Sequence, residues 1–201
     1  MTTCDLLMVG VGGQGVLTIG DLLVRTAFAA DLPASFCPTK GMAQRGGFVK
    51  VELRLGSAGV GPRIGEHGAD IVVAMERSEA LKGIPFVKPG GSFLLYDHVW
   101  EPTGVQLGVD EYPSLEDAVG AIETSGGHLT VLRPTDRPVI DGIPASANVF
   151  LLGALMTDPR MRDLFAPDDV ERTVAGRWPK AAEANVEAFR AGLSSTRGGA
   201  A

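Results

Sequence analysis

Cysteine is scarce in this chain of 201 residues: there are two, Cys4 and Cys37. That excludes a disulfide framework, and free thiols suit a reducing compartment. It also excludes an iron–sulfur cluster held by this chain alone, because such clusters take about four cysteine ligands. Histidine is nearly as rare. His67, His98 and His128 are scattered, and none stands at metal-ligand spacing from a cysteine, so no metal site is expected. Neither Ser78 nor Ser146 has a histidine in motif spacing, and no catalytic residue is assigned. An excess of positive charge is missing too: 18 Lys and Arg face 24 Asp and Glu, a net charge of −6. Broad attraction to nucleic acid or to an anionic membrane is thereby excluded. No apolar run approaches the roughly 20 residues of a membrane span. The first run, Leu6 to Val11, is short, lacks a basic flank and ends in glycines, unlike a targeting segment. A cytoplasmic protein is expected.

What is present reads as one folded domain. Apolar residues make up 45% and charged residues 21%, and the length suffices for a core without staples. Asp5-Leu-Leu-Met-Val-Gly10 is a short continuous apolar run, as in a strand buried on both faces. Val16, Leu17, Ile19, Leu22, Leu23, Val24 and Ala27 then form the apolar face of a helix ending near Asp31-Leu-Pro33. A second strand is expected over Ala34 to Pro38. Between Phe48 and Leu55 apolar residues alternate with Lys50, Glu52 and Arg54, which predicts a half-exposed strand at an antiparallel edge. Buried strands are expected at Ala69–Met75, Ser92–Asp97 and Leu129–Leu132, with helices at Glu76–Lys82 and Ser114–Glu123. Pro134 to Pro144 reads as a loop and Ala147 to Met156 as a buried helix. Trp178, Ala182, Val186 and Phe189 mark a last amphipathic helix with Pro179 in its first turn. Alternating strands and helices imply an α/β fold, Rossmann-like, with a mostly parallel open sheet and helices on both faces. One domain over residues 1–193 is expected, followed by a disordered tail, 194–201.

Two loops carry the functional signal. Gly10-x-Gly12-x-x-Gly15 stands between a strand and a helix, where glycines allow positive φ and aim helix amides at an anion. A nicotinamide site also wants an acidic residue at the end of the second strand, and Phe36-Cys-Pro-Thr39 has none. The same loop, as Gly-x-Gly-Gly-x-Gly, resembles that of ubiquitin-activating-type adenylating enzymes, which need an acid there as well. A stand-alone nucleotide-binding enzyme using Gly10–Gly15 is the alternative reading, and a purely structural loop is a third. The second loop, Gly41-Met-Ala-Gln-Arg-Gly-Gly47, follows Lys40 at the carboxyl end of the second strand, on the ligand edge of an open α/β sheet. Arg45 could grip a phosphate or carboxylate in bidentate fashion, or pair with a neighbouring acid. Glu76 at a strand end reads as the start of a helix. His98, beside Asp97, is near the same edge, and Asn148 reads as a helix cap.

Read in order, Gly10-Val-Gly-Gly-Gln-Gly15, Gly41-Met-Ala-Gln-Arg-Gly-Gly47, Gly68-Ala-Asp-Ile-Val-Val-Ala-Met-Glu76, Lys88-Pro-Gly-Gly91 and Ala147-Asn-Val-Phe-Leu-Leu-Gly-Ala154 resemble the gamma-type domain of 2-oxoacid:ferredoxin oxidoreductases. The second motif resembles most the small (beta) subunit of the indolepyruvate enzymes. Lys40, where a histidine is common, and Phe48, where a small residue is common, depart from the pattern and bear on which oxoacid is used. The resemblance implies oxidative decarboxylation of a 2-oxoacid with thiamine diphosphate, Mg and iron–sulfur clusters, passing electrons to ferredoxin and the acyl group to coenzyme A. It implies that those cofactors sit on a large partner subunit. This chain would shape the coenzyme A or substrate entrance. Gly10, Gly12, Gly13, Gln14 and Gly15 would contact the cofactor. Lys40, Gly41, Met42, Gln44, Arg45, Gly46, Gly47 and Asn148 would serve as interface or anion contacts.

Overall fold

The computed structural model describes residues 2–40, 47–59 and 61–195, except the side chains of residues 40, 103 and 104. The strands are β1 (Cys4–Val11), β2 (Ala34–Lys40), β3 (Phe48–Leu55), β4 (Ala69–Ala74), β5 (Val87–Tyr96) and β6 (His128–Leu132), with a short hairpin of β7 (Val139–Ile140) and β8 (Ile143–Pro144). The helices are α1 (Val16–Ala29), α2 (Arg77–Gly83), α3 (Thr103–Gln106), α4 (Leu115–Thr124), α5 (Ala147–Leu155), α6 (Pro159–Leu164), α7 (Pro167–Arg177) and α8 (Ala182–Ser195). The six long strands form one sheet in the order β2-β3-β1-β4-β5-β6. β1, β4, β5 and β6 run parallel, and β3 runs antiparallel to both β1 and β2.

Side-chain alternation splits the core into two layers. Leu6 and Met8 of β1, Ile71 and Val73 of β4, and Leu94 and Tyr96 of β5 face one cluster, closed by α1, α5, α7 and α8. Leu7, Val9, Val72, Phe93 and Leu95 face the other, closed by Ala80 of α2 and Ile122 of α4. Both faces of these strands are covered, which is why they read as unbroken apolar runs. The last helix begins as a 3-10 turn, Pro179–Ala181, and α8 then carries the chain through Ser195, two residues into the expected tail. The rest of that tail, 196–201, lies outside the described residues.

Several expectations are corrected. The strand over Phe48–Leu55 is not an edge. It lies between β1 and β2, and the edges are β2 and β6. Nor is its polar face open: Glu52 is buried, accepting from Ile64 N at 3.0 Å, with Lys50 Nζ at 3.4 Å. The segment after β3 folds back over that face, a cover that alternation along one strand cannot reveal. The strand expected as buried at Leu129–Leu132 is an edge strand, β6, in which only Leu132 is buried. Separately, the hairpin β7–β8 stands where a plain loop was expected, and α6 and α7 fill a stretch to which no element was assigned.

Candidate functional site

β2 runs in the direction of β1, although β3 separates them. In register, Lys40 pairs with Val49 and Val49 with Gly10, so the carboxyl ends of β1 and β2 stand in one row. Gly47, the first described residue after Lys40, stands beside the glycine loop. Gly12 N–H donates to Gly47 O at 2.8 Å, tying the two loops together. Gly41, Met42, Gln44, Arg45 and Gly46 themselves lie outside the described residues.

The chain leaves β3 to continue on the far side of β1, so the connection direction reverses at β1. Open α/β sheets bind ligands at such a point, beyond the carboxyl ends of the strands. An open cleft of about 720 Å³ lies there. Gly12, Gly13, Gln14 and Gly15 form one wall, and Ser146, Ala147 and Asn148 at the start of α5 form another. Met75, Tyr96, His98, Trp100 and Arg137 complete it. Among the described residues, no carboxylate lines this space.

The glycine loop is shaped by close approach. Gly15 has φ +85°, and a Cβ there would run into the Asn148 side chain. Gly13 has φ +106° and open space around it. Gly10 lies within β1 and does not line the cleft. A Cβ on it would come within 2.8 Å of Gln14 Oε1 and 2.9 Å of Val16 Cγ2, so its smallness serves packing. The amides are not all available. Gly12 N–H is taken by Gly47 O, and Gln14 N–H donates to Val11 O at 3.2 Å. Gly13 and Gly15 keep backbone N–H groups without a partner among the described residues, and neither α1 nor α5 has a side-chain cap. Asn148 is not the cap expected of it: Ser146 is the N-cap residue, and Asn148 Oδ1 accepts from Val149 N at 3.0 Å.

Three residues that alternate along the end of β5 extend the site. Tyr96, His98 and Trp100 stack with ring centroids 6.2 and 6.4 Å apart. The Arg137 guanidinium sits 6.0 Å over the Tyr96 ring and donates to Ala145 O at 2.7 Å. The Tyr96 hydroxyl is buried without a partner among the described residues, and burial pushes its pKa up. Burial holds His98 below the usual histidine range. Glu76 opposes this, and Arg137 adds to it.

Glu76 does begin α2, accepting from Glu79 N at 2.8 Å, and it does more. Fully buried, it also accepts from Ser78 Oγ at 2.6 Å, from Trp100 N at 3.3 Å and from the Tyr112 hydroxyl. This carboxylate therefore ties both ends of the segment after β5 back to the sheet. Arg77 reinforces it, donating to Asp97 at 2.7 Å and stacking over Tyr112 at 5.8 Å. Neither Arg137, in the expected loop Pro134–Pro144, nor Tyr96, in the expected strand Ser92–Asp97, is a site candidate from the sequence. The i, i+2, i+4 aromatic series was the signal available for the latter.

Fold and cleft together define a doubly wound α/β domain with a donor-lined site at its switch point. The sequence pattern of the family described as pyruvate ferredoxin/flavodoxin oxidoreductase matches residues 5–195. An indolepyruvate oxidoreductase subunit IorB of Archaeoglobus fulgidus is 30% identical, over 97% of this chain and 96% of that protein. Pyruvate oxidoreductase subunit PORC of Thermotoga maritima superposes with a TM-score of 0.68 at 20% identity, over 96% of each chain. The 2-oxoglutarate:ferredoxin oxidoreductase of Magnetococcus marinus, whose structure holds 2-oxoglutarate, coenzyme A and succinyl-CoA, matches at a TM-score of 0.62 and 18% identity. It does so over 98% of this chain and 32% of that one. This chain belongs to the pyruvate ferredoxin/flavodoxin oxidoreductase family.

Proposed function

We propose that this chain is the small, non-catalytic subunit of a 2-oxoacid:ferredoxin oxidoreductase acting on indolepyruvate or a similar aryl-pyruvate, with residues 1–193 as its one domain. The full-length likeness to an indolepyruvate oxidoreductase subunit is the observation that carries this reading. Thiamine diphosphate, Mg and the iron–sulfur clusters belong to a larger partner subunit, since two cysteines fall short of a cluster's ligands. Ferredoxin accepts the electrons, and the complex works in the cytoplasm. Among the described residues no helix is long and apolar enough to cross a membrane.

The cleft edge is the surface we assign to the partner. Of eight large apolar side chains exposed among the described residues, six lie on the segments leaving β5 and β6: Val99, Trp100, Leu107, Val109, Val139 and Ile143. Exposed apolar side chains on the segments leaving this sheet edge fit a subunit interface better than a free surface. Coenzyme A, rich in phosphate oxygens, fits a cleft with donors and no carboxylate. Gly13, Gly15 and the first turn of α1 would meet its anionic groups, helped by Arg137 and His98. This narrows the glycine-loop assignment: Gly12 and Gln14 shape the loop, and Gly10 packs beneath it.

Arg45 and its neighbours from Lys40 to Gly47 remain the recognition loop of this reading, as interface anchor or anion contact. The flanks of that loop stand at the cleft edge. Arg45→Ala is expected to weaken co-purification with the large subunit or to raise KM for coenzyme A or the oxoacid. Unchanged assembly and kinetics would remove Arg45 from the site.

A further inference from the structure

We propose that Gln14 fixes the tautomer of His98 and thereby makes that ring a hydrogen-bond donor to an oxygen of the ligand in the cleft. The proposal deepens the reading of the cleft as an anion site and rests on it. Two backbone groups determine the orientation of the Gln14 amide. Val11 N–H donates to Oε1 at 2.9 Å, and Nε2 donates to Met75 O at 2.8 Å. Turning the amide over would set N–H against N–H and oxygen against oxygen, leaving both backbone groups unsatisfied. The other hydrogen on Nε2 therefore points toward His98 Nδ1, 3.2 Å away. That nitrogen has to accept, so the neutral ring carries its proton on Nε2.

The ring is held for this task. His98 N–H donates to Tyr96 O at 2.7 Å, and His98 O accepts from Arg77 N at 3.0 Å. Tyr96 and Trp100 flank it in near-parallel planes, 11° and 26° from its own. The charged groups around it are Glu76 at the start of α2, Arg137 from the segment after β6, and the neighbouring Arg77–Asp97 pair. Glu76 is the one that would favour an imidazolium, and its oxygens are already shared among Tyr112, Trp100, Ser78 and Glu79. Among the described residues Nε2 has no hydrogen-bond partner and the cleft lining has no carboxylate to offer it. The matching ligand atom is an acceptor, a phosphate or carboxylate oxygen.

The test is long-range proton–nitrogen NMR on the full chain labelled with ¹⁵N-histidine. In the unmodified chain His98 is expected as the Nε2–H tautomer, with a titration midpoint below the usual value of about 6.5. Gln14→Glu offers Nδ1–H a carboxylate and should raise that midpoint by about one unit or more. Gln14→Met, of similar length, should leave a tautomer mixture. Added coenzyme A should move the His98 Nε2 resonance. An Nδ1–H tautomer in the unmodified chain overturns the lock, and that readout needs no variant to fold. A resonance that stays put while coenzyme A binds overturns the donor role. Coenzyme A that does not bind the assembled complex at all overturns instead the reading of the cleft.

Discussion

Glu76 is the residue on which the site's outer wall depends. Its four donors come from Ser78, Glu79, Trp100 and Tyr112. Glu76→Ala removes the shared acceptor of these four donors, the buried Glu79 amide among them, and should cost about 3 kcal/mol in urea unfolding, with a changed Trp100 emission as the segment after β5 loosens. Tyr112→Phe removes one donor and should cost about 1 kcal/mol. A small loss in both variants would show that the segment is held by other contacts. The helix-starting half of this role is legible in the sequence, because an acid at a helix N-terminus suits its dipole. The other half is not, because Trp100 and Tyr112 are 24 and 36 residues distant. His98 was noticed for the same local reason, its place after a strand, while Arg137 reaches the cleft only through the packing of β6 against β5.

Elements were legible where one chain segment decides its own fate. β1, β4, α1, α5 and α8 are close to the expected bounds, because continuous apolar runs and a 3.6-residue stripe specify them locally. β5 departs from its expected start at Ser92: it begins at Val87 and runs through Pro89-Gly-Gly91. The order β2-β3-β1 was not legible. The alternation of β3 marks two unlike faces and says nothing about which strand lies beside it or what covers Glu52. That order bears on function, since a nicotinamide-type site needs its acid on a parallel strand next to β1, and the neighbour there is the antiparallel β3. Packing of α5 against α8 gives a second prediction. The two helices meet at Gly153 and Gly192: a Cβ on Gly153 would strike Phe189 O and lie 2.9 Å from Leu193 N, and one on Gly192 would strike Phe150 O. Gly153→Ala should therefore lower stability by about 3 kcal/mol despite the better helix propensity of alanine. Gly176→Ala in α7, with nothing within 4 Å of its Cβ, should raise stability by up to about 1 kcal/mol. Equal signs for the two variants in thermal unfolding would contradict this account of the packing.

At the scale of the whole molecule the features converge on one edge of the sheet. The glycine loop, the ends of β2 and β3, the aromatic series after β5 and the apolar side chains beyond β6 all lie there, and the cleft between them presents donors with no carboxylate among the described residues. The exposed apolar side chains on the segments leaving β5 and β6 make this edge the one we assign to a second chain. The most direct measurement is to purify the tagged full chain from its own cells and to assay the product for bound thiamine diphosphate, iron–sulfur absorbance and indolepyruvate-dependent, coenzyme A-dependent reduction of ferredoxin. The account predicts a larger second chain in the preparation, bearing thiamine diphosphate and the clusters, with all of that activity lost when the two chains are separated and regained when they are mixed. A chain that purifies alone, or a partner that keeps full activity without it, would contradict the account.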